Sequence, residues 1–275
     1  MLPFDPATAC NIVHEAAQLA LHMHGRAAVA VKRDNTLVTE ADRAVENFLH
    51  EKLGQLAPDF AFLGEETGLS GDIDEPCWVI DPIDGTTNFV RDVPLWCVSV
   101  GLVQRGQAIF GVVAVPPQDE VYWASSGQGA WRHKDGQTVQ LHTSDRVELM
   151  QEDLIACNTT VEKVLDFTNV PCRLRNFGSL AYHLVALARG SLCASLAHWH
   201  KLYDIAGGMC LCAESGCEAR YIDGRAWTAE VSSSGSSVPL LVAPPKTLAI
   251  LLERLEHVEL KPVKLDPKIE SELEG

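Results

Sequence analysis

The stretch Trp78-Val79-Ile80-Asp81-Pro82-Ile83-Asp84-Gly85-Thr86-Thr87-Asn88-Phe89 decides how this chain reads. It begins as a short apolar run of the kind that forms a buried strand. The run breaks into two carboxylates three residues apart, with a proline between them and a glycine and two threonines behind. A strand ending in acids places them at the carboxyl edge of its sheet, where open α/β sheets hold their ligands. Pro82 restrains φ between the acids, and Gly85 permits a sharp turn or the close approach of a ligand. Hard oxygen donors on such a corner suit Mg²⁺. Backbone N–H groups from Gly85 onward would cradle an anion if they open a helical turn. The plainer reading of the same residues is an acidic strand-to-turn junction in which Asp caps a helix.

Upstream, residues 7–24 carry Ile12, Ala16, Leu19, Ala20 and Met23 at helical spacing, with Gly25 as the stop. His14, His22 and His24 on that segment read as surface residues. Thr39 then stands as an N-cap before a second apolar periodicity, with Asp42 three residues on at the spacing of a capping box. Phe60–Leu63 reads as a strand ending in Gly64-Glu65-Glu66, and Cys77–Ile80 as the strand that delivers Asp81 and Asp84. These two acidic ends form one site only if both strands finish at the same edge. From Trp96 to Thr143 the pattern becomes an antiparallel meander, with hairpin signals at Arg105-Gly106 and Asp135-Gly136. Beyond residue 150 strands and helices alternate. Gly178-Ser179 opens one helix, Asp204 opens another, Leu240–Ala243 is a strand, and 246–257 is a last helix.

The chain has 275 residues, 47% hydrophobic and 21% charged, enough for one large domain or two packed halves. No apolar run is long enough to span a bilayer, and no signal peptide is evident. Nine scattered cysteines without metal-ligand spacing point to reduced thiols and a cytoplasmic setting. A net charge of −15 argues against nucleic acid as a partner, because phosphate backbones need a basic surface. It leaves room for a small phosphorylated substrate if a divalent cation supplies local positive charge. Glu270, Glu272 and Glu274 mark an acidic tail expected to fray.

Taken together, Gly64-Glu65-Glu66, the Asp81–Phe89 stretch and Tyr203-Asp204-Ile205-Ala206-Gly207 resemble the inositol monophosphatase family of Mg²⁺-dependent, commonly lithium-sensitive phosphomonoesterases. The resemblance covers about residues 7–257. It implies an α+β fold, the layered α-β-α-β-α sandwich of the inositol monophosphatase and fructose-1,6-bisphosphatase type. It further implies one phosphatase domain, 1–257, of two packed halves (a metal-site half at 1–150 and an α/β half at 151–257), followed by the tail 258–275. By the same resemblance Glu65, Asp81, Asp84, Asp204 and the carbonyl of Ile83 bind two or three Mg²⁺ ions. Thr86 and Glu65 orient the attacking water, Asp42 holds Thr86, and Gly85, Thr86, Gly178 and Ser179 contact the phosphate or the substrate's polar groups. Helix N-termini after Gly85 and Gly178 are expected to add donors for the transferring oxygens. A homodimer is the family's default.

The chain departs from the family pattern at Thr36, where an acid is usual, and at Ala197, where a carboxylate grips inositol hydroxyls in the animal enzymes. It also departs at Leu180 and Tyr203. Inositol or sugar phosphates, histidinol phosphate, a 3′(2′),5′-bisphosphate nucleotide and fructose 1,6-bisphosphate all remain open as substrates. Lys201, three residues before Asp204, could pair with a second anionic group on the substrate or simply balance the acidic rim. A haloacid-dehalogenase-type site would need acids two apart, on one strand face, and Asp81 and Asp84 are three apart. A metal-binding scaffold without activity is the non-enzymatic alternative.

Overall fold

Asp5 caps the first helix, accepting from the amides of Ala7 and Thr8 at 3.1 and 3.3 Å, and Pro6 occupies the first turn, where its missing N–H costs nothing. The coordinates are those of a computed structural model, which describes residues 2–31, 37–72, 74–232 and 234–256. The expectations at Thr36 and for the tail from 258 lie outside them.

Helix α1 (Pro6–Met23) buries Ala9, Val13, Ala16, Ala17 and Ala20, a stripe rotated slightly from the expected one. His24, just past its end, is not a plain surface residue. Its Nε2–H donates to Phe89 O at 3.0 Å, and its ring packs on Phe89 and Trp96. A small antiparallel pair, β1 (Val29–Val31) and β2 (Leu37–Thr39), leads into α2 (Glu40–Leu56). The expected capping box is present there: Thr39 Oγ1 accepts from Ala41 and Asp42 amides, and Asp42 Oδ2 accepts from Thr39 N at 2.7 Å.

The large sheet contains β3 (Ala61–Gly64), β4 (Gly68–Ser70), β5 (Cys77–Asp84), β6 (Cys97–Gln104), β7 (Gln107–Val115), β8 (Glu120–Ser125), β9 (Ala130–Lys134) and β10 (Gln137–Leu141). Their spatial order is β10-β9-β8-β7-β6-β5-β3-β4. The β6–β7 hairpin turns on Arg105-Gly106 and the β9–β10 hairpin on Asp135-Gly136. All four residues have positive φ, as the type I′ turn requires. The one parallel pair is β3 with β5. Both acidic strand ends therefore lie at the same edge. A short helix, α3 (Thr86–Val90), follows β5.

The second sheet contains β11 (Leu154–Cys157), β12 (Arg173–Arg175), β13 (Ala194–Ala197), β14 (Glu218–Tyr221) and β15 (Leu240–Ala243), in the order β12-β11-β13-β15-β14. Strands β11, β12 and β13 run parallel. Helix α4 (Val161–Val164) follows β11, α5 (Leu180–Ala188) joins β12 to β13, α6 (Leu202–Glu214) follows β13, and α7 (Pro245–Glu256) follows β15. Helices α1 and α2 cover one face of the large sheet, α5 and α6 fill the space between the sheets, and α7 closes the outer face of the small one. This is the expected α-β-α-β-α layering.

How closely α6 approaches the large sheet is set by glycine. A Cβ at Gly111 would lie 2.2 Å from Gly207 O, and one at Gly207 would lie 2.7 Å from Ser99 Oγ and 3.0 Å from Val100 O. The bare backbones let α6 sit directly on β6 and β7, which brings Asp204, one turn earlier, against the end of β5.

Candidate active site

Strand β5 continues past Ile80, where the apolar run ends, as far as Asp84. Asp81 pairs with Ser99 and Asp84 with Cys97, and the register slips between them. In a regular strand, residues three apart face opposite sides. The irregularity at Pro82-Ile83 resets that alternation, as bulges do, so Asp81, Ile83 and Asp84 all border one cavity. Gly85 turns the chain out of the strand at φ +92°, and a Cβ there would press on Leu95 O and Ser179 Cβ, each at 3.1 Å.

That cavity, about 340 Å³, is lined by Leu37, Glu65, Asp81, Ile83, Asp84, Gly85, Thr86, Thr87, Gly178 and Asp204. Five of the expected metal ligands, including Ile83, are thus brought together with Thr86, Gly85 and Gly178. Other cavities are larger. One of about 740 Å³, between α1 and the β8–β9–β10 meander, has among its described lining residues the exposed acids Asp5, Asp119 and Asp135.

Glu65 is joined to the strand beside it, its N–H donating to Ile80 O at 3.1 Å. The next two amides, of Glu66 and Thr67, donate to the buried carboxylate of Glu46 at 2.9 and 2.8 Å. Gly64 makes room for that carboxylate, since a Cβ on it would lie 2.3 Å from Glu46 Oε1. Glu46 was missed in the sequence, where it is one more acid on an amphipathic helix. Its signal was a polar residue falling between Val45 and Leu49 on the inward side of α2.

Asp84 is held differently. Its Oδ2 accepts from Ser179 Oγ at 2.7 Å and from the Ala181 amide, so it sits at the N-terminus of α5. Ser179 Oγ in turn accepts from Tyr182 N at 3.2 Å, capping the helix. Two expectations change here. Ser179 is buried and does not line the cavity, because its hydroxyl is committed to Asp84 and the cap. The first donors of α5 are likewise spent on Asp84 and Ser179 rather than left open for substrate oxygens. Helix α3, five residues long, has little dipole to add. Asn88 ties this corner to the small sheet's side, its Nδ2 donating to Leu95 O and Phe177 O, both at 2.6 Å.

Thr86 Oγ1 lies 3.1 Å from Ile83 O and 3.5 Å from Asp42 Oδ1. Asp42 itself is behind the wall, accepting from Thr39 Oγ1 at 2.6 Å. Lys201 is not on the wall either. Its amide donates to Asp204 Oδ2 at 2.6 Å, and its ammonium stands 5.3 Å over the Tyr203 ring.

Burial raises the pKa of every acid resolved here. Asp81, 2% exposed, is pushed well above the usual carboxylate range by desolvation and then by Glu65, Asp84, Asp204 and Asp42. Asp204 keeps part of its surface open to the cavity but is crowded by protein atoms. Desolvation lifts it to about 8, against the Lys201 amide, which lowers it. Asp84 is raised by burial and restrained by its hydrogen bonds to Ser179 and the α5 amides. Asp42 is raised by burial, offset in part by Thr39.

Among the described residues no three His, Cys, Asp or Glu side chains close into a ready-made metal cage. The acids instead line an open cavity, and Asp81 Oδ1 is buried there without a hydrogen-bond partner among the described residues. Four carboxylates and a backbone carbonyl around shared space, one oxygen unsatisfied, fit hard cations that keep water and phosphate oxygens among their ligands.

The family model for the inositol monophosphatase family matches residues 5–256. The chain is 34% identical to a histidinol-phosphatase from Mycobacterium tuberculosis, over 71% of this chain and 78% of that protein. It is 30% identical to an inositol-1-monophosphatase from Mesorhizobium japonicum, over 71% and 76% respectively. Among solved structures, Mycobacterium tuberculosis SuhB superposes with a TM-score of 0.72 at 29% identity, covering 91% of this chain and 94% of that one. The extragenic suppressor protein suhB from Bartonella henselae, at 24% identity and a TM-score of 0.78 over 90% and 96%, shares the fold. The chain belongs to the inositol monophosphatase family. It is a phosphoric monoester hydrolase.

Proposed function

We propose that the chain hydrolyses a small phosphorylated metabolite in the cavity at the end of β5, with Mg²⁺ as cofactor. The observation that carries this reading is four carboxylates on one cavity wall with no Lys or Arg among its described lining residues. Glu65, Asp81, Asp84, Asp204 and the Ile83 carbonyl would hold two or three ions. Bound there, Mg²⁺ supplies charge neutralisation for the phosphate and acidifies water for attack.

The chain's own residues do the rest. Thr86 Oγ1, held between Ile83 O and Asp42, directs a hydroxyl into the cavity and with Glu65 orients the attacking water. Asp42 is a positioning residue, and Ser179 plays the same part for Asp84. Gly85 leaves backbone surface open for phosphate oxygens, the Gly178 amide being taken by Asn176 Oδ1, and Lys201 moderates the charge of Asp204. The two halves, 1–150 and 151–257, work as one domain because the cavity takes Asp204 and Gly178 from the second and its other acids from the first. A cytoplasmic homodimer, inhibited by lithium, completes the proposal.

The test is release of phosphate from p-nitrophenyl phosphate and from a panel of monoesters, with Mg²⁺ and with EDTA. Activity that persists in EDTA sinks the metal assignment. A second substrate reading, histidinol phosphate, is favoured by the Mycobacterium tuberculosis relative.

A further inference from the structure

Trp199 stands out of the surface between two residues whose backbones are tied down at both N and O. On one side His198 O accepts from Asn158 Nδ2 and from Thr160 Oγ1 (3.2 Å), while His198 N donates to Asn158 Oδ1 at 3.1 Å. On the other side His200 N donates to Ser236 O at 3.2 Å, and His200 O accepts from Ser236 N at 2.8 Å. Between these clamps Trp199 takes φ +55°, a left-handed conformation that bulky side chains avoid, and its residue is 63% exposed. Its neighbours turn the other way: His198 and His200 are buried. Strain works against folding and an exposed indole adds little to it, so the clamps impose this geometry on the Trp. Backbone strain of this kind collects at functional sites.

The strip that carries Trp199 is joined to the carboxylate cavity at both ends. Downstream, the Lys201 amide donates to Asp204, a cavity residue. Upstream, Asn158 is followed by Thr159, whose Oγ1 accepts from Asn176 Nδ2 at 2.8 Å. Asn176 Oδ1 accepts from the amide of Gly178, another cavity residue, at 2.9 Å. The three loops involved leave the carboxyl ends of the parallel strands β11, β12 and β13, the edge at which such sheets bind ligands. Trp199 therefore stands on the ligand-binding edge of the small sheet, outside the residues that line the cavity itself.

We infer that Trp199 is a stacking platform for a flat heteroaromatic ring, an imidazole or a purine, on the leaving-group side of the phosphate ester. The inference rests on the phosphomonoesterase reading of the adjoining cavity and deepens it. An indole face needs no hydrogen-bond partner, tolerates any flat π-system and gives up water readily when covered.

The experiment compares kcat/KM for histidinol phosphate and adenosine 2′-monophosphate with that for ring-free glycerol 2-phosphate, in wild type, Trp199→Ala and Trp199→Phe. The ratio of ring-bearing to ring-free substrate should fall roughly ten- to hundredfold in Trp199→Ala and be largely kept in Trp199→Phe. Whichever ring loses more is the one the platform reads. A second measurement needs no turnover: histidinol or adenosine should quench tryptophan fluorescence in wild type and much less in Trp199→Phe. Quenching without hydrolysis of any ester would sink the phosphatase reading and leave the platform standing. An unchanged ratio, equal quenching in Trp199→Phe, or a drop in sedimentation mass for Trp199→Ala, which would place the indole between copies, overturns the inference.

Discussion

On the large sheet's side of the cavity, Asp81 and Asp84 stand on a bulged strand, Glu65 is tied to Ile80, and Asp84 is held by Ser179 and α5. On the small sheet's side, Gly178 and Trp199 are exposed on loops that connect strand ends to helices. The first region is buried or half-buried, and its Asp84 carboxylate is fixed by hydrogen bonds from Ser179 and α5. The second is held through the backbone on either side of Trp199, whose own side chain is left to the solvent. The contrast separates two jobs. Reacting groups need positions defined to a fraction of an ångström, whereas the surface that reads a leaving group can change side chains without disturbing the sheet.

The strongest way to break the first region is Asp84→Asn. It keeps the size and one acceptor but removes a charge, and it should cut turnover by more than the roughly 10–100-fold typical of changing a group that only supports a metal ligand. Near-normal turnover at saturating Mg²⁺ would remove Asp84 from the metal site. Thr86→Ala comes next. It should depress kcat by about 10²-fold or more with little change in KM, because its proposed task is orienting water. A rise in KM at unchanged kcat would make Thr86 a substrate contact.

Glu46→Gln probes the support behind Glu65. The new amide group would face one of two N–H donors, so about 1–3 kcal/mol of stability should be lost. The Mg²⁺ concentration for half-maximal activity should rise on the order of tenfold. Thermal melting and Mg²⁺ titration check both. A stability loss without the Mg²⁺ shift would leave Glu46 a purely structural residue.

The smallest expected effect is on pH dependence. Burial holds Asp204 protonated up to about pH 8 in the metal-free fold, whereas in the unfolded chain it ionises in the ordinary carboxylate range. Between those limits the folded state binds more protons than the unfolded one, so stability falls as pH rises. Asp81, shifted the same way, adds to the trend. The metal-free protein should therefore melt lower at pH 8 than at pH 5, and Mg²⁺ should raise the melting temperature more at pH 8. A melting temperature that rises across that range without metal would contradict the burial of these acids.

Much of this was legible in the chain itself. Apolar runs, Arg105-Gly106 and Asp135-Gly136 marked the meander, and Thr39 with Asp42 marked the start of α2, because strand pairing and capping depend on neighbours in sequence. The Asp81–Phe89 stretch marked the site because a carboxylate pair around proline and glycine is a local feature. What stayed hidden depends on distant partners. Ser179 looked like a substrate contact because nothing nearby shows that Asp84, 95 residues earlier, uses its hydroxyl. Glu46 looked like helix surface because the amides it accepts from lie twenty and twenty-one residues away.

By itself, then, the sequence determined most of the longer elements, the acidic corner and the family, since each is carried by short patterns of residue type, whereas the short β1–β2 pair, β4 and β14 were not marked in it. Tertiary structure alone decided that β3 and β5 end at one edge and that a bulge turns Asp81 and Asp84 toward one cavity. It also decided that Gly111 and Gly207 let α6 bring Asp204 to them. The physical reason is packing. Register, bulge and backbone approach are set by which surfaces exclude water and which atoms collide, and those contacts join residues far apart in the chain.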